Sequence, residues 1–253
     1  MTNNTKWLNQ FRLISLDEID STNNKAKLLS ITDEPCSHTV IHADKQTAGR
    51  GRYGRKWESL DGNLFMSIIL PKTASLEKMA QLCFVCGLAT EAAITGIIQS
   101  YNQNLSTKLK WPNDVLVNDK KIAGILIETA GKNNEYIIVG IGVNIKAAPI
   151  LQENKTTSLF AEGISFVTSK DLLNEIMTKF IKYYYIWLSE EFLPIRERWI
   201  KKAKGIGEVI NVTTGHNRVS GKFIDIDFTG SIRVLLASGQ IYSINAGEVF
   251  FSD

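Results

Sequence analysis

The chain has 253 residues, of which 44% are hydrophobic and 22% are charged, and its 29 basic and 26 acidic side chains give a net charge of +3. This composition is typical of a soluble globular protein of one large domain, or of one medium and one small domain. It excludes a wholly disordered chain, a collagen and a long coiled coil, and the small net charge gives little support for a polyanionic partner.

Hydrophobic periodicity predicts a mixture of strands and helices as far as residue 202. Predicted strands cover residues 11–16, 38–43, 63–70, 109–111, 115–117, 122–128 and 136–145. Predicted helices cover residues 23–30, 75–99, 170–188 and 191–202. Ser21 and Thr22 supply N-cap oxygens for the first helix, and Asn118 and Asp119 predict a tight hairpin turn. Hairpin-spaced strands mixed with helices favour an α+β fold over a doubly wound sheet.

The pattern changes near residues 203–206. From Gly205 onwards, short alternating runs are separated by glycines at 215, 221, 230 and 239. This spacing predicts a small all-β barrel of about 45 residues. We therefore divide the chain into a larger domain at residues 1–204 and a smaller one at residues 205–253.

Residues 45–62 form a basic, glycine-rich loop that contains the run GRGRYGRKW at positions 49–57. Glycines let the backbone approach a ligand closely, and free N–H groups with interleaved arginines suit phosphate or carboxylate. The P-loop pattern is absent, and no Rossmann turn surrounds the run. From the residues alone, an anion site, a solvated basic loop and a nucleic-acid contact all remain open.

Three further segments place polar or small residues near strand ends. Lys110–Asp114 displays a cation, an aromatic ring, an amide and a carboxylate, although a simple turn also explains it. Lys121 begins an apolar strand with Gly124 three residues later, so it could reach a developing oxyanion or lie exposed in a hairpin. The alternate glycines of Gly140–Asn144 indicate close approach by a ligand or another backbone.

Other reactive residues have simpler interpretations. Cys83 and Cys86 have CxxC spacing within an apolar helical stretch, which favours two core cysteines over zinc or redox chemistry. His42 lies inside a predicted strand and is interpreted as structural, and the aromatic run at 183–187 as core. No HExxH motif and no Ser-His-Asp arrangement is visible.

In their order and spacing, these motifs resemble the biotin–protein ligase family, also called biotin–[acetyl-CoA-carboxylase] ligases. The matching segments are Ser21–Asn23, Gln46–Trp57, Lys110–Asp114, Lys121–Glu128 and Gly140–Asn144. The resemblance spans about residues 15–200. It implies a mixed, largely antiparallel sheet packed with helices, similar to class II synthetases and lipoate–biotin ligases, and a small C-terminal SH3-like β-barrel.

The resemblance also implies two half-reactions. The carboxylate of biotin attacks the α-phosphate of Mg-ATP to give biotinyl-5′-AMP and pyrophosphate, and a carrier lysine then attacks this mixed anhydride. Biotin and ATP with Mg²⁺ are thus the expected substrates, with no tightly bound cofactor and no structural metal. The expected acceptor is a biotin carboxyl carrier protein, a subunit of acetyl-CoA carboxylase.

Roles for individual residues follow from the same resemblance. The predicted catalytic residues are Lys121, Arg52, Asp114 and Lys110. The predicted biotin-binding residues are Ser21, Thr22, Asn23, Gln46, Gly49, Arg50, Arg52, Lys121, Gly124 and Gly142. The predicted ATP- or adenylate-binding residues are Arg50, Arg52, Trp57, Asn113, Lys121 and Asn144. The glycine-rich loop is expected to order only when ligand binds.

Several alternatives and departures shape the remaining expectations. Only 20 residues precede Ser21, too few for the winged helix-turn-helix of some family members, so we expect a monofunctional ligase without operator binding or a nucleic-acid partner. Tyr53 stands where family loops often have arginine. The alternatives are a lipoate or octanoate ligase on the same fold, a nucleic-acid-binding module and a catalytically silent biotin sensor.

The N-terminus and the cysteines suggest a compartment. The first residues, MTNNTKWLNQF, contain no apolar signal-peptide core, and the most apolar charge-free run has 12 residues, fewer than the roughly 18–20 that cross a bilayer. The three cysteines are an odd number, which is typical of a reducing compartment. We expect a cytoplasmic protein with no membrane partner, as a monomer or weak homodimer.

Overall fold

A computed structural model of the chain describes residues 6–32, 36–101, 104–150, 155–215 and 217–251. The strands of its larger sheet are β1 (Arg12–Ile19), β2 (Thr39–Gln46), β3 (Leu64–Pro71), β4 (Thr107–Lys110), β5 (Asp114–Val117), β6 (Lys120–Ala130) and β7 (Tyr136–Val143). The α-helices are α1 (Thr22–Ser30), α2 (Leu76–Ala80), α3 (Leu82–Ser100), α4 (Ser169–Glu190) and α5 (Leu193–Lys202). Short 3-10 turns cover Lys6–Asn9 and Arg52–Gly54.

The larger sheet has seven strands in the order β1-β2-β3-β7-β6-β5-β4. Strands β1 and β2 are parallel, and every other neighbouring pair is antiparallel. This topology confirms the predicted mixed, largely antiparallel sheet. The two longest antiparallel ladders, β3 with β7 and β7 with β6, place the glycine-containing strands at the centre of the sheet.

Helices cover both faces of this sheet. The main core lies between the sheet and α3, α4 and α5, and it includes Phe180, Trp187 and Trp199, each at most 2% exposed. On the other face, Ala26 of α1 packs with Ile41 and further strand residues. Because both faces are covered, the inner strand β3 is buried along nearly its whole length.

The long helical stretch predicted over 75–99 is two helices, α2 and α3, that meet at Gln81. The Gln81 side chain accepts a hydrogen bond from Trp187 Nε1 at 2.8 Å and donates one to the Phe228 carbonyl at 2.9 Å. By length and mean hydropathy, Leu76–Ser100 could cross a membrane, but 78% of its most apolar window is buried inside the fold. The two helices therefore belong to the core of this structure.

The predicted hairpin and core residues are confirmed. Asn118 and Asp119 both have positive φ, 48° and 61°, as a two-residue hairpin turn requires. Cys86 is fully buried, and burial raises the pKa of the Cys83 thiol to about 12, so neither cysteine is a reactive thiolate at neutral pH. His42 is 1% exposed within β2.

The C-terminal part forms a separate antiparallel sheet, which confirms a small β-domain there. Its strands are β8 (Val209–Thr214), β9 (Asn217–Ile226), β10 (Ile232–Leu235), β11 (Ile241–Ile244) and β12 (Glu248–Phe251), in the order β11-β10-β9-β8-β12. The Trp111 indole of the larger domain donates to the Gly230 carbonyl at 2.9 Å, and Arg196 is paired with Asp225. The first contact is buried and seats the small sheet beside the β4–β5 connection, and the second, partly buried, joins that sheet to α5.

Candidate active site

One cavity of about 210 Å³ is lined by all the residues predicted for the site except Gly49. The lining comes from the start of α1, the loop after β2, the β4–β5 connection, and strands β6 and β7. Gly49 lies behind this lining, where a Cβ would come within 2.6 Å of Ser59 Oγ and 2.8 Å of the Trp57 carbonyl. Its position supports the loop from behind the lining, and its predicted part in binding biotin stays a prediction.

The floor of the cavity is made of glycines on β6 and β7. Gly124 and Gly142 are register partners, and the Trp57 indole lies on both of them. A Cβ at Gly142 would come within 2.6 Å of the indole ring, and one at Gly140 would clash with the Asn23 amide. The glycines are thus required for close side-chain approach at these positions.

Cationic side chains cluster around the Gly124 part of the floor. Lys121 Nζ lies 2.6 Å from Asp114 Oδ1 and 5.6 Å from the centre of the Trp57 ring. Lys110 faces the Phe250 ring at 5.7 Å, and burial lowers its pKa, although Asp114 and Glu248 oppose that effect. These groups could neutralise two anions brought together in the cavity.

Loop backbone fixes the position of Lys121. Its N–H donates to the Lys155 carbonyl, and its carbonyl accepts from the Thr157 N–H, both at 2.9 Å. The Asn144 side chain holds the same loop by donating to the Thr157 carbonyl at 3.1 Å. Lys121 is therefore presented from a fixed backbone, as preorganised charge stabilisation requires.

Uncharged hydrogen-bonding groups line the part of the cavity formed by α1 and β2. Ser21 occupies the N-cap position of α1 and is buried, but its side chain makes no capping hydrogen bond. Gln46 Oε1 accepts from the Thr22 N–H at 2.8 Å and from the Thr22 hydroxyl at 3.1 Å. The predicted N-cap role of the Ser21 oxygen is therefore wrong, and this hydroxyl lines the cavity instead.

Three buried polar atoms in the cavity lining have no hydrogen-bond partner within the part of the chain that the structure describes, and one of them, Asp114 Oδ1, is ion-paired with Lys121 Nζ. The other two are Trp57 Nε1, a donor, and Asn144 Oδ1, an acceptor. Buried polar groups in folded proteins are nearly always paired, so such atoms call for a specific explanation. A ligand in this cavity would supply the missing partners.

The basic loop is tied to the C-terminal domain, which the sequence did not predict. Arg55 donates to both carboxylate oxygens of Glu248, at 3.0 and 2.7 Å. Arg52 NH1 donates to the Gly247 carbonyl at 3.1 Å and to Asn113 Oδ1 at 3.2 Å. Nothing near Glu248 in the sequence marks it, because its partner lies 193 residues away.

We expect Glu248→Gln to loosen this attachment in a pH-dependent way. Hydrogen bonds from Arg55 lower the pKa of Glu248 below its usual value of 4.5, although burial opposes them. A carboxylate whose pKa is lower in the folded than in the unfolded protein stabilises the fold at pH values above its unfolded-state pKa. That stabilisation is lost as the pH falls through its folded-state pKa. The thermal unfolding midpoint of the variant should therefore be lower than that of the wild type at pH 7. The two midpoints should converge below about pH 4.5.

The measurement is thermal unfolding of both proteins between pH 3.5 and 7.5. Glu208→Gln, an exposed change in the same domain, is the control and should match wild type throughout. Because the Glu248 pair is partly exposed, only a modest shift is expected, equivalent to about 1 kcal/mol or less. A gap that persists unchanged at pH 3.5 would contradict the assignment to this carboxylate.

Comparisons with known proteins agree with this geometry. Residues 16–144 match the Biotin/lipoate A/B protein ligase family, and residues 205–252 match the Biotin protein ligase C terminal domain. The chain is 33% identical over 243 residues to a biotin--[acetyl-CoA-carboxylase] ligase of Paracoccus denitrificans, covering 93% of this chain and 99% of that protein. It is 35% identical to the bifunctional ligase/repressor BirA of Bacillus subtilis, covering 91% of this chain and 72% of BirA.

A solved structure shares the fold. The biotin protein ligase from Aquifex aeolicus in complex with biotin and ATP has a TM-score of 0.81 and 30% identity, and the match covers 94% of this chain and 97% of that one. The chain belongs to the Biotin/lipoate A/B protein ligase family. Its matched C-terminal part places it with the relatives named as biotin protein ligases.

Proposed function

We propose that this chain is an ATP-dependent biotin–protein ligase. The observation that carries the proposal is the single cavity in which the Lys121–Asp114 pair, Lys110 and Arg52 face uncharged groups from α1 and β2. An uncharged, hydrogen-bonding pocket suits the ring system of biotin, and the cations suit its carboxylate and the phosphates of ATP. The biotin and ATP in the Aquifex complex support this assignment.

In the first step, a carboxylate oxygen of biotin forms a bond to the α-phosphorus of ATP, and the bond to pyrophosphate breaks. The reacting anions repel by about 4 kcal/mol at a separation of 4 Å and an effective dielectric constant of 20. Lys121 lies where it would offset that repulsion and stabilise charge on the transferring phosphoryl group. The chain contributes positioning and charge, and no enzyme nucleophile is needed.

In the second step, the uncharged amine of an acceptor lysine attacks the carbonyl carbon of biotinyl-5′-AMP. An amide bond forms, the bond to AMP breaks with its electrons on the phosphate oxygen, and the amine loses a proton. Asp114 lies beside Lys121 and could orient the amine or accept that proton. The names of the relatives support a biotin carboxyl carrier subunit of acetyl-CoA carboxylase as acceptor.

Three finer features complete the proposal. Mg²⁺ would enter as the ATP complex, because Mg²⁺ is usually held by substrate phosphates and water with only one or two carboxylates. The functional division falls at residues 1–204 and 205–253, supported by the separate C-terminal sheet. A cytoplasmic location is supported by the three free cysteines.

ATP–pyrophosphate exchange on the purified protein tests the first step without an acceptor. We expect exchange with biotin and none with lipoate, octanoate or no added acid, because the binding pocket would select the ring system. Exchange with lipoate or octanoate instead would establish the alternative ligase on the same fold. Absence of exchange with every acid, from protein with a cooperative unfolding transition, would refute the proposal.

A further inference from the structure

The carboxylate of Glu128, on β6, lies just outside the cavity lining and joins three side chains. Its Oε2 accepts from Asn23 Nδ2 at 2.7 Å and from Arg50 NH2 at 3.3 Å. Its Oε1 accepts from Lys27 Nζ at 2.5 Å. Asn23 and Arg50 both line the cavity. Asn23 belongs to α1, and Arg50 belongs to the basic loop. Glu128 thus connects the loop to the α1 wall.

The ionised state of Glu128 fixes the orientation of Asn23. Burial would raise the pKa of Glu128, but hydrogen bonds from Lys27 and Asn23 outweigh burial and hold it below 4.5. An ionised carboxylate only accepts hydrogen bonds, so the Asn23 amide must turn its NH₂ group towards it. The Asn23 carbonyl oxygen then faces Ser67, whose hydroxyl donates to it at 2.5 Å.

The surroundings of this carboxylate are built around the two cavity residues. Any side chain at Gly140 would clash with the Asn23 amide, and Ser67 is fully buried beneath it. Arg50 uses one NH₂ group on Glu128, and a guanidinium has five N–H donors in all. Because Arg50 also lines the cavity, its other N–H donors could reach a ligand there.

We infer that Glu128 is a positioning residue that holds Arg50 of the basic loop against the α1 wall and so keeps bound biotin in its pocket. This inference rests on the proposed function. Lys121 lies seven positions earlier on the same strand, more than about 20 Å along an extended backbone. Arg50 is also predicted to contact ATP, but Lys121, Lys110 and Arg52 line the same cavity and would hold ATP without it, so loss of Glu128 should weaken biotin binding much more than ATP binding.

The test is a double-mutant cycle with Glu128→Gln, Arg50→Ala and the double variant. Biotin and ATP affinities are measured separately by calorimetry on the full chain, with biotin dissociation rates from competition. We expect Glu128→Gln to weaken biotin binding about 10-fold, the scale of one charge-assisted hydrogen bond, through faster dissociation. ATP affinity should change less than about 2-fold, and the loss of biotin affinity in the double variant should be clearly smaller than the sum of the two single losses.

Two control variants separate positioning from general stability. Lys27→Met removes the third partner of Glu128 but leaves the Asn23 and Arg50 contacts, so biotin affinity should stay within about 2-fold of wild type. Glu91→Gln removes a remote buried carboxylate that accepts from Thr95 and Thr107, and it should lower the unfolding temperature without changing biotin affinity. If Glu128→Gln unfolds, Arg50→Lys serves instead. It keeps the positive charge but lacks the planar guanidinium group, and it should reproduce the faster dissociation of biotin.

Specific outcomes would overturn the inference. They are an unchanged biotin affinity in Glu128→Gln, an equal loss of ATP affinity, or additive effects of Glu128→Gln and Arg50→Ala. A wild-type protein that does not bind biotin would instead refute the proposed function, and the two failures are therefore distinguishable.

Discussion

Lys121→Ala is expected to slow the formation of biotinyl-5′-AMP by about 10²-fold or more, the scale of losing one preorganised charge donor. In the structure, Lys121 Nζ lies over the glycine floor, with Asp114 2.6 Å away. Its backbone is held on both sides by the loop at 155–157, so the cation is already in place before the reaction. The measurement is single-turnover adenylate formation at saturating biotin and ATP.

Lys120→Ala provides a matched control for this prediction. The change in charge is the same, but Lys120 is exposed and pairs with Glu162, away from the cavity lining. This variant should form the adenylate at close to the wild-type rate. Near-normal single-turnover formation in a folded Lys121→Ala protein would contradict the role assigned to Lys121, and equal losses in both variants would indicate a general charge effect.

Sequence reasoning predicted those parts of the site whose structure is determined by residues close together in the chain. The hairpin turn at Asn118 and Asp119 follows from two residues that tolerate positive φ. The alternate glycines at 140 and 142 indicate close approach, and the structure shows the two groups that approach, Asn23 and Trp57. Local chemistry therefore predicted a close approach to the backbone at these glycines, and in the structure two side chains of the protein make it.

Long-range pairs could not be predicted from one sequence. Glu128 and its partners lie 78 to 105 residues apart, and Arg55 and Glu248 lie 193 apart. Glu128 lies within an apolar strand, and Glu248 begins one. In the sequence alone, a single charge in such a strand is as compatible with an exposed position as with a buried pair. Only the register of the sheets and the seating of the small domain bring these groups together.

Ser21 shows how a local rule can fail at a binding site. The side-chain oxygen of a serine or threonine before a helix normally accepts a hydrogen bond from a backbone N–H of the first turn, as that of Thr168 does from Asp171 at the start of α4. The Ser21 backbone is extended and in place for a cap, yet its side chain makes no capping bond and lines the cavity. A conflict between local propensity and observed contacts is expected at functional sites.

Arg52→Ala is expected to release biotinyl-5′-AMP at least about 10-fold faster than wild type. Arg52 joins three parts of the cavity wall, because its guanidinium donates to Asn113 and to the Gly247 carbonyl from within the basic loop. It also lies over the ring of Tyr53, 4.8 Å from its centre. Charged hydrogen bonds of this kind contribute about 1.5–3 kcal/mol each, so losing them should open the loop over the intermediate.

Preformed labelled adenylate, chased with excess unlabelled adenylate, measures that release rate directly. Arg218→Ala, an exposed change on β9, removes the same charge far from the loop and should leave the rate unchanged. The release rate of Arg52→Lys should lie between those of the wild type and Arg52→Ala. An ammonium group keeps the charge but lacks the planar guanidinium geometry that bridges two acceptors. An unchanged release rate in Arg52→Ala would mean that the intermediate is retained without Arg52. The loop would then owe its closure to the contacts of Arg50 with Glu128 and of Arg55 with Glu248.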